Sequence, residues 1–259
     1  MKKNLIILFV FVSLGLPRVY SGTITLRRHT PTHQEEYYFL ALKGAYEQVS
    51  GDYKNARKTY GHLRTVTPTD QNLLGAALRL AFDHGHFAEV LSYAPHIDIT
   101  APQNKELAFL IAQAYLFLHK NTEGIDILEA LRMQHPRDDR FDYFAAIAYT
   151  KINQAPQALA IINAVLADPT KRSRYYLFHF LKAKYLFLQN QCSEALDQIN
   201  ASLVNNPSFA KGFFLKGTIL EQLHQHKQAL AAYQRYQTLN KNDATIAEKI
   251  EVLRKRITS

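Results

Sequence analysis

Apolar residues along this chain recur at intervals of three and four through segments of about a dozen residues, the spacing that places them on one face of an α-helix. The segments come in pairs, each joined by a short polar turn and closed by a proline: Pro68, Pro102, Pro136, Pro169 and Pro207 end successive pairs. One position inside each pair keeps a fixed phase. Ala56, Val90, Gly124, Ala158, Ala195 and Ala229 are spaced 34, 34, 34, 37 and 34 residues apart, and only Val90 among them is bulky. A period of about 34 residues predicts an all-α fold, a solenoid of helix-turn-helix units that grows by addition and needs no second core. Pro156 is compatible with it, because it falls in the first turn of a helix, where its missing N–H has no intrahelical partner.

The N-terminus breaks the pattern. Lys2 and Lys3 precede an uncharged run, Leu5 to Leu16, of twelve residues. As a helix it reaches about 18 Å, short of a hydrocarbon core of about 30 Å. Pro17 ends it, and Val19-Tyr20-Ser21 supplies a signal-peptidase site, so residues 1–21 read as a secretory signal cut before Gly22. An uncleaved membrane anchor and an ordinary apolar N-terminus are the alternatives, and no cysteine stands near the cut to carry a lipid. Residues 22–35, GTITLRRHTPTHQE, have no periodicity and read as a flexible leader.

Charge adds little. The chain carries a formal +9. Losing Lys2, Lys3 and Arg18 with the signal would leave 28 basic against 22 acidic side chains, or +6. The positive residues are scattered among acids, which suits solubility and weak attraction to anionic partners better than a nucleic-acid surface. The single Cys192 excludes an intrachain disulfide.

The aligned small residues, prolines and turns resemble the tetratricopeptide repeat family. Leu40, Gly44, Ala56, Tyr60 and Pro68 match its pattern in the first unit, with Gly51-Asp52-Tyr53 in the turn. Ala112, Tyr115, Gly124, Leu128 and Pro136 match in the third, Ala146, Tyr149, Ala158 and Ile162 in the fourth, and Phe213, Gly217, Leu220, Ala229 and Tyr233 in the sixth. The second departs most, with Leu78 and Val90 where small residues are expected. The resemblance implies a right-handed α-solenoid of about six units over residues 36–242. Residues 243–259 then form a capping helix, with Asp243 as N-cap and Ile246, Ile250, Leu253 and Ile257 on one face.

Catalytic chemistry finds no motif here: no Gly-x-Ser-x-Gly, no His-Glu-x-x-His and no Gly-x-x-x-x-Gly-Lys. His84-Gly-His86 and His224-Gln-His226 lie at turns without a third ligand nearby, short of the three or four a zinc site takes. Glu35-Glu36 and Asp138-Asp139 adjoin helix starts, where negative charge is favoured. Neither a catalytic residue, a metal nor a cofactor is expected.

The resemblance does imply a binding surface, the concave side supplied by the first helix of each pair. The family's lining positions fall on Tyr38, Phe109, Leu116, Phe117, Tyr143, Phe180, Phe187 and Phe214, with Arg79, Gln113, Arg140, Lys151 and Lys184 between. The expected partner-binding set is Tyr38, Phe109, Phe117, Tyr143, Phe180, Phe187, Phe214, Arg140 and Lys184, and the expected partner is a protein or peptide. The family's clamp for chaperone C-termini needs Lys and Asn where Ala41, Ala45, Gly75 and Arg79 stand, so that client class does not fit. Two readings of the rings stay open: anchors for a peptide, or packing between helices. The 37-residue step inserts three residues around Thr170-Lys171-Arg172-Ser173-Arg174, read as a solvated basic loop, with recognition of an acidic partner as the alternative.

Three function classes follow. A non-enzymatic scaffold in the cell envelope, assembling a pilus, a secretion machine or an outer-membrane complex, fits best. A subunit of an envelope enzyme complex is the alternative. A nucleic-acid binder fits worst, since export removes the ligand and no regular polar code recurs unit by unit.

Overall fold

The computed structural model describes residues 33–66, 70–241, 243 and 245–258. The expected signal at 1–21, the leader as far as residue 32, and Pro68 lie outside the described residues. Thirteen α-helices follow one another among the described residues, with no strand. They pair as α1 (His33–Val49) with α2 (Tyr53–Val66), α3 (Gln71–Asp83) with α4 (Phe87–Tyr93), and α5 (Lys105–Phe117) with α6 (Asn121–Gln134). The series continues as α7 (Asp139–Lys151) with α8 (Ala155–Ala167), α9 (Tyr175–Leu188) with α10 (Cys192–Asn205), and α11 (Ala210–Gln222) with α12 (His226–Leu239). A last helix, α13 (Thr245–Thr258), stands alone.

Each helix packs on the next in the chain, and from α3 onward each first helix also touches the first helix of the following unit. That connectivity is a solenoid. All six phase-keeping positions are buried on second helices, Ala56, Val90, Ala195 and Ala229 completely. Small side chains there let paired helices approach toward the short end of the roughly 8–10 Å packing range. The same close approach is met from the other side by glycine. A Cβ on Gly44 would stand 2.9 Å from the Tyr60 ring, and one on Gly217 only 2.5 Å from the Tyr233 ring.

The turns repeat as strictly as the helices. Gly51, Gly85, His119, Asn153, Asn190 and His224 all take φ between 59° and 81°, and each lies five residues before a phase-keeping position. The following N–H reaches back across the turn, as in Lys120 N to Tyr115 O and Gln225 N to Leu220 O, both 2.9 Å. This left-handed closure satisfies carbonyls that the helix end leaves open.

Unit two is the irregular one. Its α4 has only seven residues, because Pro95 cannot continue the ladder and a 3-10 turn, Ala94–His96, takes over. Leu78 and Val90 are nonetheless fully buried, so the bulkier side chains are accommodated. The 37-residue step is a 3-10 segment, Pro169–Arg174, leading into α9.

The two ends differ. On α13, Ile246, Ile250 and Leu253 are buried against α12, and Asp243 accepts the Thr245 N–H at 3.0 Å. At the other end α1 starts at His33, three residues inside the segment read as leader, with Glu35 and Glu36 in its first turn opposing the helix dipole. Its outer face carries Phe39, Leu42, Tyr46 and Val49 exposed at i, i+3, i+7 and i+10.

Candidate interaction surface

The expected binding residues divide by what they touch. Phe109 on α5 is only 6% exposed. It sits edge-on to Phe141 and Phe144 at 5.1 and 5.2 Å, so it belongs to the core between units three and four. Tyr143 on α7 is half-buried against Phe144 and Phe178, and burial pushes its phenol pKa up. Phe180 meets Phe209 edge-on at 5.1 Å, and Phe187 packs in the cluster around Ala183 and Cys192. For these four rings packing between helices is the reading the structure favours.

Three rings keep substantial surface. Phe117 at the end of α5 is 53% exposed while stacked on Phe87 of the previous unit, centroids 4.4 Å apart and planes 11° from parallel. Tyr38 on α1 lies against Tyr37, and Phe214 on α11 lies between Tyr233 and Tyr236, with the Lys249 ammonium 5.7 Å from its ring. Phe117 and Tyr143 therefore contact different neighbours. The exposed stripe on α1 is a further apolar face, and its helical spacing is visible in the sequence.

The two cations of the set differ as well. Lys184 is exposed on α9. Arg140 is committed: its guanidinium donates to Asp138 at 2.6 and 2.8 Å and to Glu106 at 2.7 and 3.0 Å, and lies over the rings of Phe109 and Phe141. The Arg140 hydrogen bonds hold both carboxyls below their ordinary range, and the carboxylates raise the arginine in turn. Arg140 thus stitches α5 to the start of α7 and covers Phe109.

The inserted basic loop is not the solvated loop expected. Lys171 turns inward to Asp142 at 2.6 Å, and Arg174 pairs with Asp139. Both carboxylates sit on α7, buried to 6% and 3% side-chain exposure, and Arg132 of α6 also reaches Asp142 at 2.7 Å. Buried carboxylates need counter-charges, and sequence distance hid the pairing. Of the turn histidines, His119 and His224 occupy left-handed positions and His84 and His86 flank another, which accounts for their place in the fold. Among the described residues no group of three or more His, Cys, Asp or Glu is placed to hold a metal ion, and no helix is long and apolar enough to cross a membrane.

Comparison with known proteins agrees with this architecture. A family model described as "Tetratricopeptide repeat" matches residues 180–244. Among solved structures, a tetratricopeptide repeat protein from Parabacteroides merdae ATCC 43184 superposes with a TM-score of 0.51 at 14% identity, over 84% of this chain and 98% of that one. A double mutant of MamA from RS-1 superposes with a TM-score of 0.50 at 18% identity, over 63% of this chain and 87% of that one. No curated protein matches the sequence.

Proposed function

We propose that this tetratricopeptide-repeat solenoid is a non-enzymatic scaffold, exported to the cell envelope, that holds a protein partner while a multiprotein complex is assembled. The repeat fold itself supports protein–protein interaction as the function, since such units present a continuous surface with no built reaction centre. Export rests on the Lys2-Lys3 start, the apolar run from Leu5 to Leu16 and the Val19-Tyr20-Ser21 site. A pilus, secretion machine or outer-membrane complex is the kind of assembly an envelope scaffold serves.

The observation that carries the reading is ring exposure. A core has no use for a phenylalanine held half in water, yet Phe117 stays 53% exposed while stacked on Phe87. Pre-ordered aromatic anchors of this kind give contact area at little entropic cost. Tyr38 and Phe214 extend the set to other first helices, while Phe109, Tyr143, Phe180 and Phe187 pack between helices.

The test is capture from envelope fractions with the native chain as bait, followed by mass spectrometry and affinity measurement. Phe117→Ala should weaken binding of the captured partner by more than about 1 kcal/mol, as a true anchor does, with circular dichroism unchanged. Native affinity in Phe117→Ala and Phe214→Ala alike would remove the aromatic surface from the function.

A further inference from the structure

Helix α1 is apolar on two opposite faces. Leu40 and Gly44, with Tyr37 and Ala41 beside them, turn toward the solenoid, while Phe39, Leu42, Tyr46 and Val49 turn away from it, 64%, 49%, 71% and 90% exposed. A helix that is apolar all round belongs under cover on every side. In each later unit the first helix has that cover, because the second helix of the preceding unit packs on it: α2 on α3, α4 on α5, α6 on α7, α8 on α9 and α10 on α11. Among the described residues no helix precedes α1. With about 150–250 Å² in each aromatic side chain, the four outward residues leave roughly 500 Å² open, the size at which an exposed apolar patch on a single chain is often functional.

What complements this stripe is the stripe itself. Its residues are spaced 3, 4 and 3 apart, the alternation of a two-helix seam, and that spacing reads the same in both directions. An antiparallel second copy therefore sets Phe39 against Val49 and Leu42 against Tyr46, with the helix dipoles opposed. Within the span of the stripe the only charged residues are Lys43 and Glu47, and they are paired with each other at 3.7 Å. Two such faces together cover about 1,000 Å², the least a specific interface needs. Other occupants fit worse. The far end of the solenoid offers no apolar complement, because α13 turns Glu248, Glu251, Arg254 and Lys255 outward, which disfavours a head-to-tail chain of copies. Glu35, Glu36 and Glu47 outnumber Lys43 on α1, so an anionic membrane surface repels it. Residues 22–32 hold Ile24 and Leu26 as their only large aliphatic side chains, too few for a stripe of four.

We propose that the protein is a two-fold dimer joined through α1 of each copy, the two helices antiparallel. Such a contact is isologous and closes on itself, so assembly stops at two. Phe117 and Phe214 lie on later units, outside the contact. One dimer then presents the exposed rings twice, and a partner with two matching segments gains avidity from the second. This goes beyond the scaffold reading, and each can fail without the other: a monomer can still hold a partner on its rings, and a dimer need not.

The test uses the whole protein as its native cells process it. Sedimentation velocity from about 1 to about 200 µM should show monomer passing into dimer with Kd of about 1–100 µM and no larger species. Phe39→Glu/Tyr46→Glu should weaken dimerisation at least about ten-fold, since it puts carboxylates into an apolar seam. Both side chains are exposed in the single chain, so its circular dichroism should not change. The urea midpoint of the native chain should rise with protein concentration and that of the variant should not, while Phe117→Ala should dimerise as the native chain does. Orientation is read by mixing Leu42→Cys and Tyr46→Cys chains under oxidation, where the mixed disulfide should form in preference to either symmetric one; Cys192 is buried. The proposal is overturned by a monomer at every concentration, whether or not it binds phosphatidylcholine vesicles, by native dimerisation in Phe39→Glu/Tyr46→Glu, by species that grow beyond the dimer, or by symmetric disulfides alone.

Discussion

Gly217→Ala tests the close approach that sets the helix spacing. Adding the methyl places a carbon 2.5 Å from Tyr233 Cε1 and 2.7 Å from Cδ1 and Cζ, about 1 Å inside the optimum of about 3.5–4.0 Å. The ring has little room to retreat. Tyr233 is fully buried, its hydroxyl donates to Glu221 at 2.5 Å and meets Thr218 at 3.2 Å, and Lys249 sits 4.9 Å from the ring centre. Overpacking of this kind costs about 1–3 kcal/mol, against about 1 kcal/mol gained because alanine is the better helix former. A net loss of up to about 2 kcal/mol is expected. Gly61→Ala is the internal control: it lies within α2 with nothing in 4 Å of its added Cβ, so only the propensity gain of about 0.5–1 kcal/mol remains. Urea unfolding followed by circular dichroism, on both variants and the native chain, reads the difference. If Gly217→Ala were as stabilising as Gly61→Ala, the tyrosine would not be wedged against the glycine and the reasoning would fail.

Ala158→Leu should cost about 1–3 kcal/mol by overpacking α7 against α8, while Ala160→Leu, exposed two residues on, should be nearly neutral; equal melting of the two would show that the register is misplaced. Asp138 and Glu106 have folded pKa values below their reference values of 3.8 and 4.5, so the stabilisation they give is complete above those values and lost as pH falls through the folded ones. Arg140→Gln should therefore lose about 1 kcal/mol at neutral pH, surface screening included, and show a flatter decline below about pH 4; parallel urea-midpoint curves against pH would refute the pairing. Peptide sequencing of the protein purified from its native cells should begin at Gly22, and retention of residues 5 to 16 would replace the cleaved signal by an anchor.

Local chemistry determined a great deal of this molecule. The helical periodicity, the 34-residue phase of small residues and the proline stops are short-range signals, and they were enough for the pairing of helices, the burial of Ala56 through Ala229 and the capping role of Ile246, Ile250 and Leu253. Tertiary structure decided whatever depended on partners distant in sequence. Phe109 and Phe117 sit eight residues apart on one helix, yet one is core and the other half in water, because only the next unit brings Phe141 and Phe144 over Phe109. Lys171 and Arg174 read as solvated charges until α7 presents buried Asp142 and Asp139 to them, 29 and 35 residues away. The left-handed turn residues were hidden in another way. Only two of the six are glycine, and histidine or asparagine can take that φ where the surrounding backbone hydrogen bonds demand it.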